Sequence, residues 1–376
     1  MLKPLAVFSL AALASAVAHA ALTLTPDFTT ADTTDFPGSI AMSKAPNAST
    51  IEASIDAAIA QIDKIVANPL TFKINFVDDP NTSLGASVDS GNTDISFTNY
   101  RTYLNAETNK SAVQTVAFAS LPTGQSTNID LKSTQVNLGG PILEAIGDTS
   151  AGKSLISGNG GFAGTIALNL SDMNISRSSN NPNNYDIEAV VMHELDEVLG
   201  MGGQGSTLGS TPVAKDVGPM DLYRYYGLSL RSYNDSSKVV SYFSINGGTT
   251  DLVHFNQSSD GDYGDWGNGT TPAQDEGNTP PQVQDAFGTP GTQTNIGEDE
   301  AVALNAIGWQ LTTAGVTLEG AAAGSAPGIS HENTAAVTPL SVPEPADWIS
   351  VLLGGLALAG MHRLRRKANV PRCPAR

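Results

Sequence analysis

Val191-Met192-His193-Glu194-Leu195-Asp196-Glu197-Val198-Leu199-Gly200 is the stretch on which the reading of this chain turns. Ile187, Val190, Val191, Leu195 and Val198 recur at the spacing of a helix's apolar face. Asn183 is placed to cap that helix with Asp186 at the reciprocal position, and Asp186 and Glu188 suit the positive end of its dipole. Gly200, Gly202, Gly203 and Gly205 end it abruptly. Residues four apart stack on one helix face, so His193 and Glu197 project together. An imidazole and a carboxylate at that separation can reach one metal ion, and Glu194 beside them can hold a water instead. A His-Glu pair on an acidic helix is commonly a solvated face. Here Ala189-Val190-Val191-Met192 and Val198-Leu199 surround the pair, which argues for a cleft.

Outward from this helix, Ser49 and Glu52 form a capping-box pattern. Ile51, Ile55, Ile59, Ile62 and Val66 then predict a second helix, stopped by Pro69. Phe72, Ile74 and Phe76 alternate with polar residues as in a strand. Further strands are expected around Ile95-Ser96-Phe97 and over residues 165–170, 239–245 and 252–255, and a last helix over 299–307. Residues 98–160 give no clear order. The chain divides into a signal (1–20), an extended lead-in (21–48), one domain (49–311), an Ala/Gly/Ser/Pro-rich flexible linker (312–341), a sorting segment (342–367) and a tail (368–376).

The two ends read as export machinery. Lys3, the short apolar run that follows it and Ala18-His19-Ala20 have the form of a cleavable secretory signal. Val342-Pro343-Glu344-Pro345, an apolar stretch from Trp348 and a basic cluster of Arg363, Arg365, Arg366 and Lys367 follow one another at the other end. This order resembles the PEP-CTERM sorting signal of Gram-negative bacteria. The resemblance implies a cell-surface or extracellular location, transient membrane contact through the tail, and recognition by an exosortase-type membrane enzyme. The sole cysteine, Cys373, lies beyond the basic cluster, so disulfides and thiol chemistry are excluded from the exported part. Net charge is −18 over the whole chain. Without Lys3 and the six basic and two acidic residues beyond Val342, 12 basic and 35 acidic residues remain, a net of −23. Nucleic acid is therefore excluded as a partner, and hard cations are favoured.

His193-Glu194-Leu195-Asp196-Glu197 has the spacing of the His-Glu-x-x-His zinc helix with Glu197 in the second histidine's place. Together with Gly200 and with Pro219-Met220-Asp221-Leu222-Tyr223-Arg224-Tyr225, it resembles a family of secreted, metzincin-like zinc metalloproteases of PEP-CTERM-bearing bacteria. The likeness continues through Tyr242-Phe243-Ser244-Ile245-Asn246-Gly247-Gly248, Asp262-Tyr263-Gly264-Asp265-Trp266 and Ile307-Gly308-Trp309. It implies an α+β, metzincin-like domain with a twisted mixed sheet, the active helix beneath its edge strand, and a loop-rich C-terminal subdomain. It also implies a methionine turn under the metal, which Met220 is placed to supply. The implied activity is endopeptide hydrolysis of a protein or peptide substrate, with Glu194 as general base and Tyr223 or Tyr225 near the oxyanion.

One position departs from the pattern. The third metzincin ligand comes three residues after the glycine, where this chain has Gly203. Asp221 is the first candidate to replace it, His254 the second and Asp216 the third. A site of His193, Glu197 and Asp221 suits zinc, with manganese or calcium as alternatives. Asp260, Asp262 and Asp265 form a separate candidate calcium loop, for which a solvated acidic turn is the plain alternative. Two other functions compete with the peptidase. One is an inactive surface or biofilm-matrix protein on the same fold. The other is a glycan hydrolase, which is disfavoured because Glu194 and Glu197 share one helix face instead of opposing each other across a cleft.

Overall fold

The computed structural model describes residues 21–127, 132–210, 215–267 and 280–324. The signal and the sorting segment with its basic cluster lie outside them. Among the described residues no helix is long and apolar enough to cross a membrane.

The fold is α+β. Its strands are β1 (Thr23–Asp27), β2 (Ile40–Ala41), β3 (Thr71–Asp78), β4 (Gly85–Asp89), β5 (Asn92–Ser96), β6 (Gln135–Gly139), β7 (Gly164–Leu168), β8 (Met173–Asn174), β9 (Tyr185–Asp186), β10 (Arg224–Gly227), β11 (Leu230–Arg231), β12 (Tyr242–Phe243) and β13 (Val253–His254). Its helices are α1 (Ala48–Ile65), α2 (Phe97–Ala106), α3 (Ala112–Ser120), α4 (Gly140–Ala145), α5 (Thr149–Gly158), α6 (Ile187–Val198), α7 (Glu298–Ile307) and α8 (Thr313–Gly324).

The main sheet runs β1-β3-β7-β4, with β2 also paired to β3. β1, β3 and β7 are parallel, whereas β4 runs antiparallel to β7 at the end of the sheet. α1 and α6 pack on one face. α1 buries Ile51, Ile55, Ile59, Ile62 and Ile65, and α6 buries Ile187, Val191, Leu195 and Val198. Each such side chain contributes about 1.5–3 kcal/mol. Phe36, Val77, Ala86 and Ala167 close the opposite face in a small cluster of their own. The second half of the chain adds a four-stranded sheet, β11-β10-β12-β13.

Several expectations shift. The lead-in is not merely extended, because β1 pairs in parallel with β3 from Thr23 to Asp27. Only Leu22 and Leu24 alternate there, too short a period to mark a strand. α1 starts at Ala48 behind Asn47, which is left-handed (φ 62°) and makes no side-chain cap bond, so the Ser49 box is not the start. α6 likewise starts after Asp186, not Asn183. The Asp186 carboxylate is taken by Arg177, at 2.6 Å from Nη2. The strand at residues 92–96 exists but pairs with β6 outside the main sheet. The linker's first third is helix α8, whose small residues allow close approach to α1: a Cβ on Gly315 would lie 2.5 Å from the Ile65 carbonyl.

Burial pushes four carboxyls away from the site upward: Asp63 and Asp89 to about 6, Glu107 and Asp299 to about 7. Backbone N–H groups of Leu24 and Gly91 only partly offset it at the first two. These groups hold protons more tightly folded than unfolded, so the folded chain binds more protons between about pH 4 and 7. Stability is therefore present at the acid side of that window and is lost as pH rises through it, by on the order of 1 kcal/mol per well-buried group. The urea midpoint of the metal-stripped protein is expected to be higher at pH 5 than at pH 8, and a higher midpoint at pH 8 would refute it.

Candidate metal centre

α6 sets the site because its apolar side packs against α1 and the sheet, which fixes the face that carries His193, Glu194 and Glu197. All three are buried, at 3% exposure or less. The helix ends where Gly200 turns left-handed (φ 91°), with the Gly200 and Met201 amides returning to the Glu197 and Asp196 carbonyls. His193 Nδ1 lies 3.0 Å from the Val283 carbonyl. Donation there fixes the tautomer, so Nε2 presents a lone pair inward.

Nε2 faces two carboxylates: Glu197 Oε1 at 3.9 Å and Asp265 Oδ2 at 3.7 Å. Ligand atoms of these three residues all lie within 4.8 Å of one another, and the group could hold a metal ion. Each carboxylate is held by hydrogen-bond donors, as supported metal ligands are. Ser87 Oγ on β4 donates to Glu197 Oε2 at 2.7 Å, and the Gly203 amide donates to Oε1 at 2.9 Å. Gln284 Nε2 donates to Asp265 Oδ1 at 2.8 Å. No donor reaches Asp265 Oδ2 or either oxygen of Glu194. Buried carboxylate oxygens without donors are costly unless a cation or a proton answers them. That is the observation by which a cation fits.

Glu194 sits one residue along, beneath β4. A Cβ on Gly85 would run into its Oε1 and against Val190, so only glycine leaves room for it there. Burial, then the carboxyls of Glu197, Asp265 and Asp262, push the Glu194 pKa well above the ordinary range. The hydrogen bond open to Glu194 is one in which it shares a proton with Glu197. Asp265 rises to about 7 by burial and the nearby Asp262, with the His193 imidazole pulling the other way.

The strand above α6 is β4, at the end of the sheet, as the resemblance implies for an edge strand; the strand expected at 165–170 is β7, one position further in. β4 was missed because Gly85-Ala86-Ser87-Val88-Asp89 has little apolar content. Its Gly85 and Ser87 nevertheless touch the centre, and Ala86 faces the other way into the small cluster.

Asp221, expected as third ligand, is not in the group. Its carboxylate accepts from Ser206 Oγ at 2.6 Å, Thr207 N at 3.0 Å and Gly218 N at 2.8 Å, with Arg224 Nε at 3.9 Å. Burial raises its pKa against all four of these partners. Arg224, also buried, lies over the Phe255 ring at 3.9 Å and donates to the Tyr263 carbonyl. The Asp221–Arg224 pair thus ties the turn after α6 to the loop that delivers Asp262 and Asp265.

The loop at 256–265 is held by Asn256, whose Nδ2 donates to the carbonyls of Ser258 and Asp262, each at 2.9 Å. Its Asp265 is the third residue of the group with His193 and Glu197, so Asp260, Asp262 and Asp265 do not converge as a separate calcium loop. Asp265 faces His193, Asp262 is half-buried beside Gly203, and Asp260 is exposed. A Cβ on Gly203 would collide with Asp262 Oδ2 and lie 2.6 Å from Glu197 Oε1. Where the resemblance would put a third ligand, the chain therefore has bare backbone, and carboxylates from another loop fill the space.

Tyr223 donates from its hydroxyl to the Ala306 carbonyl at 2.8 Å and is buried, so it braces α7 and does not face the centre. Arg231 lies over the Tyr225 ring at 4.8 Å. His254 Nε2 pairs with Asp251 at 2.9 Å on β13, apart from the group, and Thr207 Oγ1 donates to the carbonyl of Asp216. Met220 packs directly against Gly205 in the turn below α6. A narrow groove of about 40 Å³, lined in part by Leu84, Tyr185, Val190, Val283 and Gly288, reaches His193. Comparison with known protein families, with characterised proteins and with solved structures returns no match.

Proposed function

We propose that this chain is an exported, metal-dependent endopeptidase whose centre is His193, Glu197 and Asp265, with Glu194 as general base. One observation carries the reading: three ligand atoms converge within 4.8 Å in a buried site, and a fully buried glutamate follows the ligating histidine on the same helix. A metzincin-like assignment of the fold draws support from the antiparallel end strand β4 over α6 and from Met220 packed beneath the following turn. The export signal and the PEP-CTERM-type tail support a cell-surface or extracellular site of action in a Gram-negative bacterium, with an exosortase-type enzyme as sorting partner.

One imidazole and two carboxylates make a harder donor set than the three histidines of a typical metzincin. Zinc fits, and manganese or calcium compete with it. When bound, such an ion supplies Lewis acidity toward a scissile carbonyl and lowers the pKa of water. The chain's own residues do the rest. His193 is held by Val283, Glu197 by Ser87 and Gly203, and Asp265 by Gln284, so the donors meet a ligand already oriented. Glu194 takes the proton of the attacking water on its carboxylate and gives it to the leaving amine nitrogen.

A catalytically inactive surface or matrix protein on the same fold is the second reading. It is favoured by the depth of the centre, where His193 is 3% exposed and the three carboxylates are fully buried. Elemental analysis of the purified protein, paired with cleavage of an unstructured protein substrate before and after chelation, separates the two. The peptidase reading expects one divalent ion per chain and cleavage that disappears with the ion and returns when it is restored. Bound metal without cleavage selects the second reading. A folded protein with no stoichiometric metal sinks both the centre and the enzyme.

A further inference from the structure

Gln284 is fully buried, and its carboxamide lies against both halves of the centre. Its Nε2 is 2.8 Å from Asp265 Oδ1 and 3.4 Å from His193 Nε2, while Oε1 has no partner. The backbone around it is fastened at three points. Val283 O receives His193 Nδ1, Gln284 N donates to Glu300 Oε1 at 3.1 Å, and Gln284 O accepts from Trp266 N at 2.9 Å. Across from it Gly202 is left-handed (φ 54°) and bare, and a Cβ there would run into the Gln284 carboxamide. Gly202 thus leaves the room that this amide occupies.

A carboxamide carries its oxygen and its NH₂ on nearly equal arms, and a half-turn about the last bond exchanges them. Without a cation, the turned form would set Oε1 against Asp265 Oδ1, acceptor against acceptor. With a cation between His193 and Asp265 the same turn becomes favourable, because an amide oxygen is a good ligand for a hard divalent ion. It also gives the stranded Oε1 a partner, in exchange for the Nε2 bond to Asp265 Oδ1 that holds in the ion-free form.

Resting on the metal centre proposed above, we propose that Gln284 Oε1 is a fourth protein donor, and that it occupies the coordination position a substrate needs. Four protein donors make a closed site, whereas catalysis needs one position open to water or substrate. Displacing it would be a ligand exchange only: the amide oxygen would give way to water, and no covalent bond within the chain would break. With the amide turned in this way, the metal-loaded chain would be a latent form.

The test uses the purified protein loaded with Co(II), titrated with azide and followed by its visible absorption. In the wild type the bands are expected not to respond to azide. In Gln284→Ala they shift with azide, and Co(II) passes to a chelator roughly tenfold faster or more, the usual size of effect for a supporting residue. Gln284→Glu, which keeps an oxygen donor, stays insensitive. If wild type and Gln284→Ala respond to azide with equal affinity and lose Co(II) at equal rates, Gln284 is not a donor and the proposal falls while the centre stands. A wild type that takes up no stoichiometric Co(II) overturns the centre and the proposal together. Should Gln284→Ala not fold, the wild type alone decides: an azide response overturns the closed site, and its absence supports it.

Discussion

Glu194→Gln is expected to keep its metal and to lose peptide hydrolysis by roughly 100-fold or more, the usual contribution of a general base. Glutamine has the same shape, so it fits beneath Gly85 and against Val190 where glutamate does. Its amide can donate to Glu197, which the native carboxyl approaches only by sharing a proton. The substitution thus removes the proton acceptor and leaves the pocket filled. Metal content by elemental analysis and kcat on an unstructured substrate are the two readouts. Loss of metal would make Glu194 a ligand, and unchanged turnover would remove it from the chemistry altogether.

The helical elements were largely legible because their signals are periodic and long. The isoleucine ladder from Ile51 to Ile62 could only be a buried helix face, and residues 187–198 carry the same pattern around His193. β3 showed itself through Phe72, Ile74 and Phe76. β4 did not, since its contribution is made by what it lacks: Gly85 leaves space for Glu194, and Ser87 sends a hydroxyl to Glu197. Neither feature has a period. α8 was hidden by its composition, because alanines and glycines that read as a linker are also what a helix needs to lie close to α1.

Two of the three proposed ligands came from one helix turn, where sequence spacing translates directly into distance. The third could not, because it depends on how a loop folds back. Asp265 was visible as part of an acidic, glycine-containing loop, and the Asp262-Tyr263-Gly264-Asp265-Trp266 run belonged to the family likeness. What the sequence lacked was the long-range fact that Arg224 and Asn256 fasten that loop and that it brings Asp265 to His193. Asp221 directly follows Met220, in the segment that carries the likeness, and drew the assignment for that reason. Gln284 and Val283 carried no motif at all.

Asp265→Ala and Asp221→Ala are therefore expected to fail in opposite ways. Both carboxylates are fully buried, so burial does not distinguish them. Their donors do. Asp221 is saturated by Ser206, Thr207 and Gly218 and sits beside Arg224, which leaves nothing to offer a metal. Asp265 spends one oxygen on Gln284 and turns the other, without a donor, toward His193 Nε2. Removing Asp265 deletes a donor, so metal affinity should fall by more than the roughly 10–100-fold that loss of an outer-shell partner costs. The fold should survive, because the change relieves buried carboxylate repulsion. Removing Asp221 leaves the Arg224 guanidinium buried without its counter-charge, which should lower the unfolding free energy by about 3–5 kcal/mol. Metal stoichiometry should persist in the fraction that remains folded. Equilibrium dialysis against a buffered metal series and urea unfolding give the two numbers for each variant. If Asp221→Ala loses the metal while Asp265→Ala keeps it, the third donor has been assigned to the wrong loop.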